Sequence, residues 1–194
     1  MNPWLGKALV LLGIIVTVVI RAPHGRRSGK VKVLESRRSR SEVALLALMW
    51  IAMMILPILS IVTPLLSFAD YPLRVVPLLL GTVCLVFGLR FFYRAHADLG
   101  TNWSISLELR EEHRLVTQGV YEHIRHPMYT AILLHAVAQA LLLPNWIAGP
   151  SCLAAFLMML TFRLGPEEQM MRDRFGDDYL AYVRRTKRLV AGVW

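Results

Sequence analysis

Residues 128–162 read MYTAILLHAVAQALLLPNWIAGPSCLAAFLMMLTF, with no Asp, Glu, Lys or Arg among them. As one helix this stretch would reach about 52 Å at ~1.5 Å per residue, far beyond a hydrocarbon core of ~30 Å. Pro144, Asn145 and Trp146 interrupt it near its middle, where a proline removes a helix hydrogen bond. The stretch therefore predicts a helical hairpin of two short spans, about 128–143 and 146–164, with both outer ends on the same side of a membrane.

Three further apolar runs lie upstream: Trp4–Ile20, Val43–Leu66 and Val75–Leu89, the last continuing as helix through Tyr93. The spans are then about 4–20, 43–66, 75–93, 128–143 and 146–164. Pro57 and Pro64 are expected to kink the second span or end it early. The first run could pass for a signal peptide, but no small-x-small cleavage site follows it and its flanking charge comes after the run. The fold class is all-α integral membrane: five transmembrane helices including a C-terminal helical hairpin, plus short cytoplasmic helices, in a single domain over residues 1–194.

Composition agrees. The 194 residues are 56% hydrophobic and only 18% charged, against about a quarter charged in soluble domains. The formal net charge is +9 and the sequence pI about 10.2. Such basicity can signal nucleic-acid binding, but here Lys and Arg gather between apolar runs and no base-reading motif accompanies them. Residues 21–40 hold eight Lys or Arg and one acid, Glu35, and read as a topological anchor meeting anionic headgroups. With five spans and the N-terminus outside, only Lys7 and Arg74 of the 22 Lys and Arg fall outside, leaving 20 on the cytoplasmic face, as the positive-inside rule requires. The link 67–74 is then external, while residues 94–127 and the tail from Arg163 are cytoplasmic. Cys84 and Cys152 lie inside apolar runs, form no CxxC or zinc spacing, and read as small hydrophobes.

Three polar groups converge on that inner face: Glu111 to Tyr121 (EEHRLVTQGVY), Arg125 to Tyr129 (RHPMY) at the start of the hairpin, and Arg163 with Glu167 and Glu168 at its end. Pro127 suits the first turn of a helix, whose positive end favours a carboxylate. Arg163 and Glu167 are four apart and share a face if the helix continues through Pro166. Met171, Phe175, Tyr179 and Tyr182 recur at helical spacing in the tail and are expected to pack on the bundle or lie in the headgroup layer, with a break at Gly176. An interfacial Arg–Glu pair can equally be a snorkelling anchor with its salt bridge, and His126 a helix cap. His123 beside His126 lacks a third metal ligand. His135, within an apolar run, reads as a core histidine. GxGxxG after a strand, the P-loop, HExxH and GxSxG are all missing.

DLGTNWS (98–104), HRLVTQGVY (113–121), RHPMY (125–129) and the EE…FGDDYLAY tail resemble the isoprenylcysteine carboxyl methyltransferase family, which belongs to a wider group with the phospholipid methyltransferases. The likeness is dense over residues 98–188, and length and span count fit its smaller prokaryotic members. It implies S-adenosylmethionine-dependent methyl transfer at the membrane, with the cofactor region at 98–129 and 163–188. Carried over by position, the cofactor contacts fall on His113, Arg114, Leu115, Val116, Tyr121, His126, Pro127, Met128, Tyr129 and Glu167. Arg163 matches the arginine beside the methyl acceptor, so that Arg163 and Glu167 are the candidate catalytic pair. Ser106 stands where eukaryotic members carry a cofactor-contacting glutamine, a departure at one edge of the pocket.

The implied acceptor is the carboxylate of an isoprenylcysteine-like lipophile entering from the bilayer, with membrane lipids around the spans. A phospholipid or another small lipophile is an alternative, and an amine acceptor would require a base. An NADPH-dependent membrane reductase, to which the C-terminal hairpin is also similar, and a non-catalytic lipid-binding scaffold remain open at this point. No small-xxx-small pattern decides an oligomeric state.

Overall fold

The computed structural model describes residues 2–36, 39–104, 106, 108–110, 114–190 and 192. Its long elements are helices. α1 runs Trp4–Ser28; α2, Arg40–Trp50, continues through a π-helical turn, Ile51–Ile55, into α3, Leu56–Val62; α4 is Val75–Leu99, α5 Pro127–Leu142 and α6 Ala148–Arg185. Among the described residues, four units are long and apolar enough to cross a membrane: α1, α2–α3, α4 with its short extension to Asn102, and α6. α5 has 16 residues, about 24 Å of rise, and is shorter than the others.

α5 is the centre of the bundle. Ala136, Ala138 and Leu142 have no exposed surface and Ala131 almost none. Small residues let its neighbours approach closely. A Cβ at Gly81 of α4 would press on Leu141 and Leu142, and one at Gly6 of α1 would run into the Leu142 carbonyl. The outer face of α4 carries exposed Leu79, Val83, Val86 and Phe87, apolar side chains that meet lipid in a membrane. The π-helical turn leaves the Ala52 carbonyl free to accept from Gln139 Nε2 at 3.0 Å and Ser151 Oγ at 3.3 Å, which ties α2–α3 to the hairpin.

The hairpin turn is fixed by Asn145. Its Nδ2 donates to the Leu66 carbonyl at 2.6 Å and to Asp70 Oδ1 at 2.7 Å, while its Oδ1 accepts from the N–H groups of Ile147 and Ala148. Lys7 Nζ lies 3.8 Å from Asp70 Oδ2. The start of α1, the 66–71 link and the 144–146 turn thus share one end of the bundle, and the polar motifs occupy the other.

Four sequence expectations need correction. α1 does not stop at Ile20: it carries Arg21–Arg27 and Pro23 as helix to Ser28. The second span begins earlier, because Ser39 Oγ caps Glu42 N at 3.0 Å; its early end, at Val62 before Pro64, is the one expected of the proline. α4 extends to Leu99. The last span does not stop at 164, since α6 passes through Pro166; the tail then breaks at Gly176, φ 51°, as expected, and a short helix follows to Arg185. A further feature lies outside the all-α expectation: β1, Val33–Ser36, pairs antiparallel with β2, Glu108–Arg110. After α6 the chain turns back along the start of the hairpin. There Arg125 N donates to Lys187 O, His126 N to Arg188 O, and Thr130 Oγ1 to Leu189 O.

Candidate functional site

A cavity of about 320 Å³ opens at the polar end of the bundle, within the size range of small-molecule sites. Its floor is apolar: Met49, Met53, Phe92, Ile132 and Met159, from four elements of the bundle. Its upper walls are polar and aromatic.

Pro127 opens α5 at its first position, so that the chain enters from a non-helical His126 with φ −124° and ψ 56°. This entry aims Tyr129 and His126 at the far helix. α6 rises from Ala148 by a length similar to α5 and brings Arg163 and Glu167 level with them. Tyr129 Oη donates to Glu167 Oε2 at 2.6 Å, and Arg163 Nε lies 3.7 Å from the same oxygen. Arg163 Nη1 lies 3.7 Å from Glu42 Oε1, on the first turn of α2. The guanidinium thus stands between two carboxylates, 9% exposed. Because α6 continues through Pro166, Arg163 and Glu167 do share a helix face.

Behind this wall Glu168, 2% exposed, gathers cations. Arg125 Nε donates to its Oε1 at 2.7 Å, Arg188 Nη2 to its Oε2 at 3.1 Å, and Arg172 Nη2 lies 3.6 Å away. His126 is held between the two glutamates, with Nδ1 3.7 Å from Glu167 Oε1 and Nε2 3.3 Å from Glu168 Oε1. Burial alone would lower the His126 pKa, but the hydrogen bonds and charges of Glu167 and Glu168 outweigh it and raise the pKa above 6.5. Burial, reinforced by Glu167, pushes the Tyr121 phenol well above its usual range, so the group stays neutral. Tyr182 Oη donates to the Tyr121 carbonyl at 2.6 Å and locks the tail against this loop. Gly119 turns the loop at φ 63°, where a side chain would collide with Asp98, which accepts from Val120 N at 2.9 Å.

Of the residues singled out in the sequence, Arg114, Leu115, Val116, Tyr121, His126, Met128, Tyr129, Arg163 and Glu167 line the cavity together. Pro127 does not; it is buried at the helix start and sets the chain direction. His113 lies outside the described residues. Ser106 lines the cavity and donates to Glu108 Oε1 at 2.7 Å. The tail stripe packs inward, with Tyr179 and Tyr182 buried on the cavity wall.

Sequence reasoning missed three contributors. Glu42 was hidden in a capping sequence, Ser39-x-x-Glu42. His96 sat at the end of an apolar run. Arg21 was grouped with the headgroup anchor, yet it turns inward, lines the cavity and stacks on Trp103, its guanidinium carbon 5.1 Å from the ring centroid. An arginine directly adjoining an apolar run was the available signal.

The arrangement suits a ligand with one polar, charged part and one apolar part. Arg163 can hold an anion, the Glu167 carboxylate can accept from amino or hydroxyl groups, and Tyr121 and Trp103 offer aromatic faces for a planar or cationic group. Among the described residues no three His, Cys, Asp or Glu side chains are grouped to hold a metal ion.

Comparison with known proteins bears on the same elements. The model of the isoprenylcysteine carboxyl methyltransferase (ICMT) family matches residues 79–173, from α4 into α6. Protein-S-isoprenylcysteine O-methyltransferase B of Arabidopsis thaliana is 32% identical over 81 residues, 42% of this chain and 41% of that protein. The Schizosaccharomyces pombe protein-S-isoprenylcysteine O-methyltransferase is 30% identical over 106 residues, 55% of this chain and 45% of its own length. The Homo sapiens protein of that name is 31% identical over 107 residues, 54% and 38% respectively. The chain thus spans less than half the length of these curated relatives. The solved structure of the eukaryotic intramembrane Ras methyltransferase ICMT matches with a TM-score of 0.51 at 23% identity, over 78% of this chain and 50% of that one. That likeness concerns the fold, a multi-pass bundle of membrane helices. Family match and relatives agree with the motifs at 98–129 and 163–173, and over residues 79–173 the chain is similar to the isoprenylcysteine carboxyl methyltransferase family.

Proposed function

We propose that the protein transfers a methyl group from S-adenosylmethionine to the carboxylate of an isoprenylcysteine-like lipophilic acceptor at the cytoplasmic face of a membrane, the whole chain acting as one membrane methyltransferase domain. The observation that carries this reading is a single cavity with Arg163 and Glu167 in its polar wall and apolar side chains of the spans in its floor. A water-soluble donor and a lipid-borne acceptor need such a junction. The curated relatives are named for the same chemistry.

The residues fit the donor. The volume suits a ligand of its size, and Tyr129, His126 and Glu167 form a preset polar edge. Arg114, Leu115, Val116, Tyr121, Met128 and the described backbone around Pro127 complete that side, with His113 as a further proposed contact. Bound there, the sulfonium donor supplies an already activated methyl group, so a carboxylate acceptor needs no general base. Arg163 orients the acceptor carboxylate, Glu167 fixes the donor's polar groups, and the buried walls exclude water. An N-terminus outside and a cytoplasmic C-terminus follow from the Lys and Arg distribution. They agree with Lys7, Asp70 and Asn145 gathering at the end opposite the cavity.

The test is calorimetric titration of detergent-solubilised protein with S-adenosylhomocysteine, then transfer of labelled methyl to N-acetyl-farnesylcysteine. Micromolar binding that weakens in Glu167→Ala, with base-labile product, supports the reading. Folded protein that binds NADPH and not S-adenosylhomocysteine overturns it in favour of a reductase. Methylation of a phospholipid in place of the farnesylcysteine overturns the acceptor assignment alone.

A further inference from the structure

Arg21 and His96 lie outside every residue set discussed for methyl transfer, and both line the cavity. Arg21 comes from α1, a helix outside the family-matched residues 79–173. Its Nε is buried without a hydrogen-bond partner, and no carboxylate pairs with it among the described residues. Trp103 holds the guanidinium by a cation–π contact at 5.1 Å, and the same cavity already carries the cationic Arg163. A buried cation is normally paired. Two guanidinium groups facing one enclosure, one of them without a carboxylate, leave an anion to be supplied by a ligand.

His96 presses on the same indole, ring centroids 5.0 Å apart, with no exposed surface. Its Nδ1 lies 2.9 Å from the Phe92 carbonyl. A carbonyl only accepts, so Nδ1 carries the proton and the neutral ring keeps a lone pair at Nε2. That Nε2 is buried and without a partner. A cation and a hydrogen-bond acceptor thus flank one tryptophan, each lacking its complement.

We propose that Arg21 and His96 form a subsite for an α-amino carboxylate, the guanidinium binding the carboxylate and Nε2 accepting from the adjacent N–H. This rests on the methyl-transfer reading, in which Arg163 holds the acceptor carboxylate, and extends it: Arg21 serves a second carboxylate if the group comes from the donor and shares that one if it comes from the acceptor. The group has two sources. One is the amino-acid end of the sulfonium donor, which carries an ammonium beside its carboxylate. The other is the cysteine end of the acceptor, which carries an amide N–H there.

Calorimetry on the full chain separates them, using S-adenosylhomocysteine and 5′-methylthioadenosine, which keeps the nucleoside thioether and lacks the amino-acid end. For the donor source, Arg21→Gln weakens S-adenosylhomocysteine at least tenfold and leaves 5′-methylthioadenosine unchanged, Arg21→Lys recovers part of the loss, and His96→Leu costs about fivefold. For the acceptor source, S-adenosylhomocysteine binding is unchanged and KM for N-acetyl-farnesylcysteine rises at least tenfold with kcat held. In either case the ligand-free Arg21→Gln protein melts no lower than wild type, since a charge without a carboxylate partner has been removed. A lower melting point with both ligand constants within twofold of wild type assigns Arg21 to packing and overturns the subsite alone. Wild-type protein that binds neither nucleoside overturns the methyl-transfer reading and the subsite with it.

Discussion

Tyr129→Phe isolates the link on which the proposed donor side depends. The substitution removes one oxygen and keeps the ring, which stays edge-on to Phe156 at 6.4 Å and beside His126 at 5.5 Å. What is lost is the 2.6 Å hydrogen bond to Glu167 Oε2. A hydrogen bond to a charged group contributes about 1.5–3 kcal/mol. Glu167 keeps only the two 3.7 Å neighbours, Arg163 Nε and His126 Nδ1, both beyond hydrogen-bond length. The carboxylate then shifts toward Arg163, shortening that pair and drawing it from the orientation set by Tyr129. If Glu167 must stand as observed to meet the donor, the cost appears in donor affinity, as roughly a 10- to 150-fold rise in the S-adenosylhomocysteine Kd. The assay is calorimetry beside a melting curve of the ligand-free protein. An unchanged Kd together with a lower melting point would refute the reasoning, because the hydrogen bond would then support only the fold.

Three further outcomes follow from the geometry. Glu168→Gln is expected to destabilise the protein by about 3 kcal/mol, since Arg125 and His126 lose a buried carboxylate while Arg172 and Arg188, each over a third exposed, add little; denaturant unfolding in detergent measures it, and a loss below 1 kcal/mol would mean that water reaches the cluster. Gly119→Ala forces a side chain into a φ of 63° and into the Asp98 carboxylate, at a cost of about 1–3 kcal/mol, read as a lowered melting temperature. The raised His126 pKa sets the sign of a pH effect. Protonated His126 is favoured in the folded state, so its contribution is fully present below about pH 6.5 and is lost as pH rises through the folded value. Melting temperature should fall across that window in wild type and less so in His126→Gln, and equal slopes would exclude His126 as the group responsible.

Hydropathy made the spans legible because lipid imposes one demand on every residue of a crossing helix. The hairpin could be read for the same reason, with Asn145 serving the turn that Pro144 opens. Ends were harder. Pro166 beside Gly165 looks like a helix stop, but a proline removes one hydrogen bond and α6 survives that loss through its packing against α5 and the tail. Arg163, Glu167, His126 and Tyr129 could be named because chain-local patterns carry them: an i, i+4 pair and a proline-led helix start. Arg21 and Glu42 could not, because their partners lie far along the chain, and His96 offers no pattern beyond a polar residue closing an apolar run. Arg21 meets Trp103, Glu42 meets Arg163, and no local spacing encodes either contact. The pairing of β1 with β2 joins segments separated by three α-helices and was invisible for the same reason.

The two sides of the cavity have different origins, and this bears on specificity. The proposed donor edge, from Arg114 to Tyr129 and at Glu167, falls entirely within the family-matched residues. Other lining comes from α1 and the α2–α3 unit, through Arg21, Leu46, Met49, Trp50 and Met53, all outside them. Arg163 is where the two meet, matched by the family yet paired with Glu42 of α2. A methyl donor of fixed shape constrains its own edge tightly. An acceptor tail of variable length asks only for apolar surface of adequate width, which Met side chains provide with little directional demand. Substitutions at Met49 and Met53 should therefore redistribute preference among acceptor tails while leaving S-adenosylhomocysteine affinity near wild type. Substitutions at Tyr129 or Glu167 should lower turnover of all acceptors together. A panel of N-acetyl-S-alkylcysteines of graded chain length, assayed against Met53→Ala and Tyr129→Phe, sets these two expectations side by side. A Met53→Ala protein with an unchanged length preference would place the tail along a different face of the bundle.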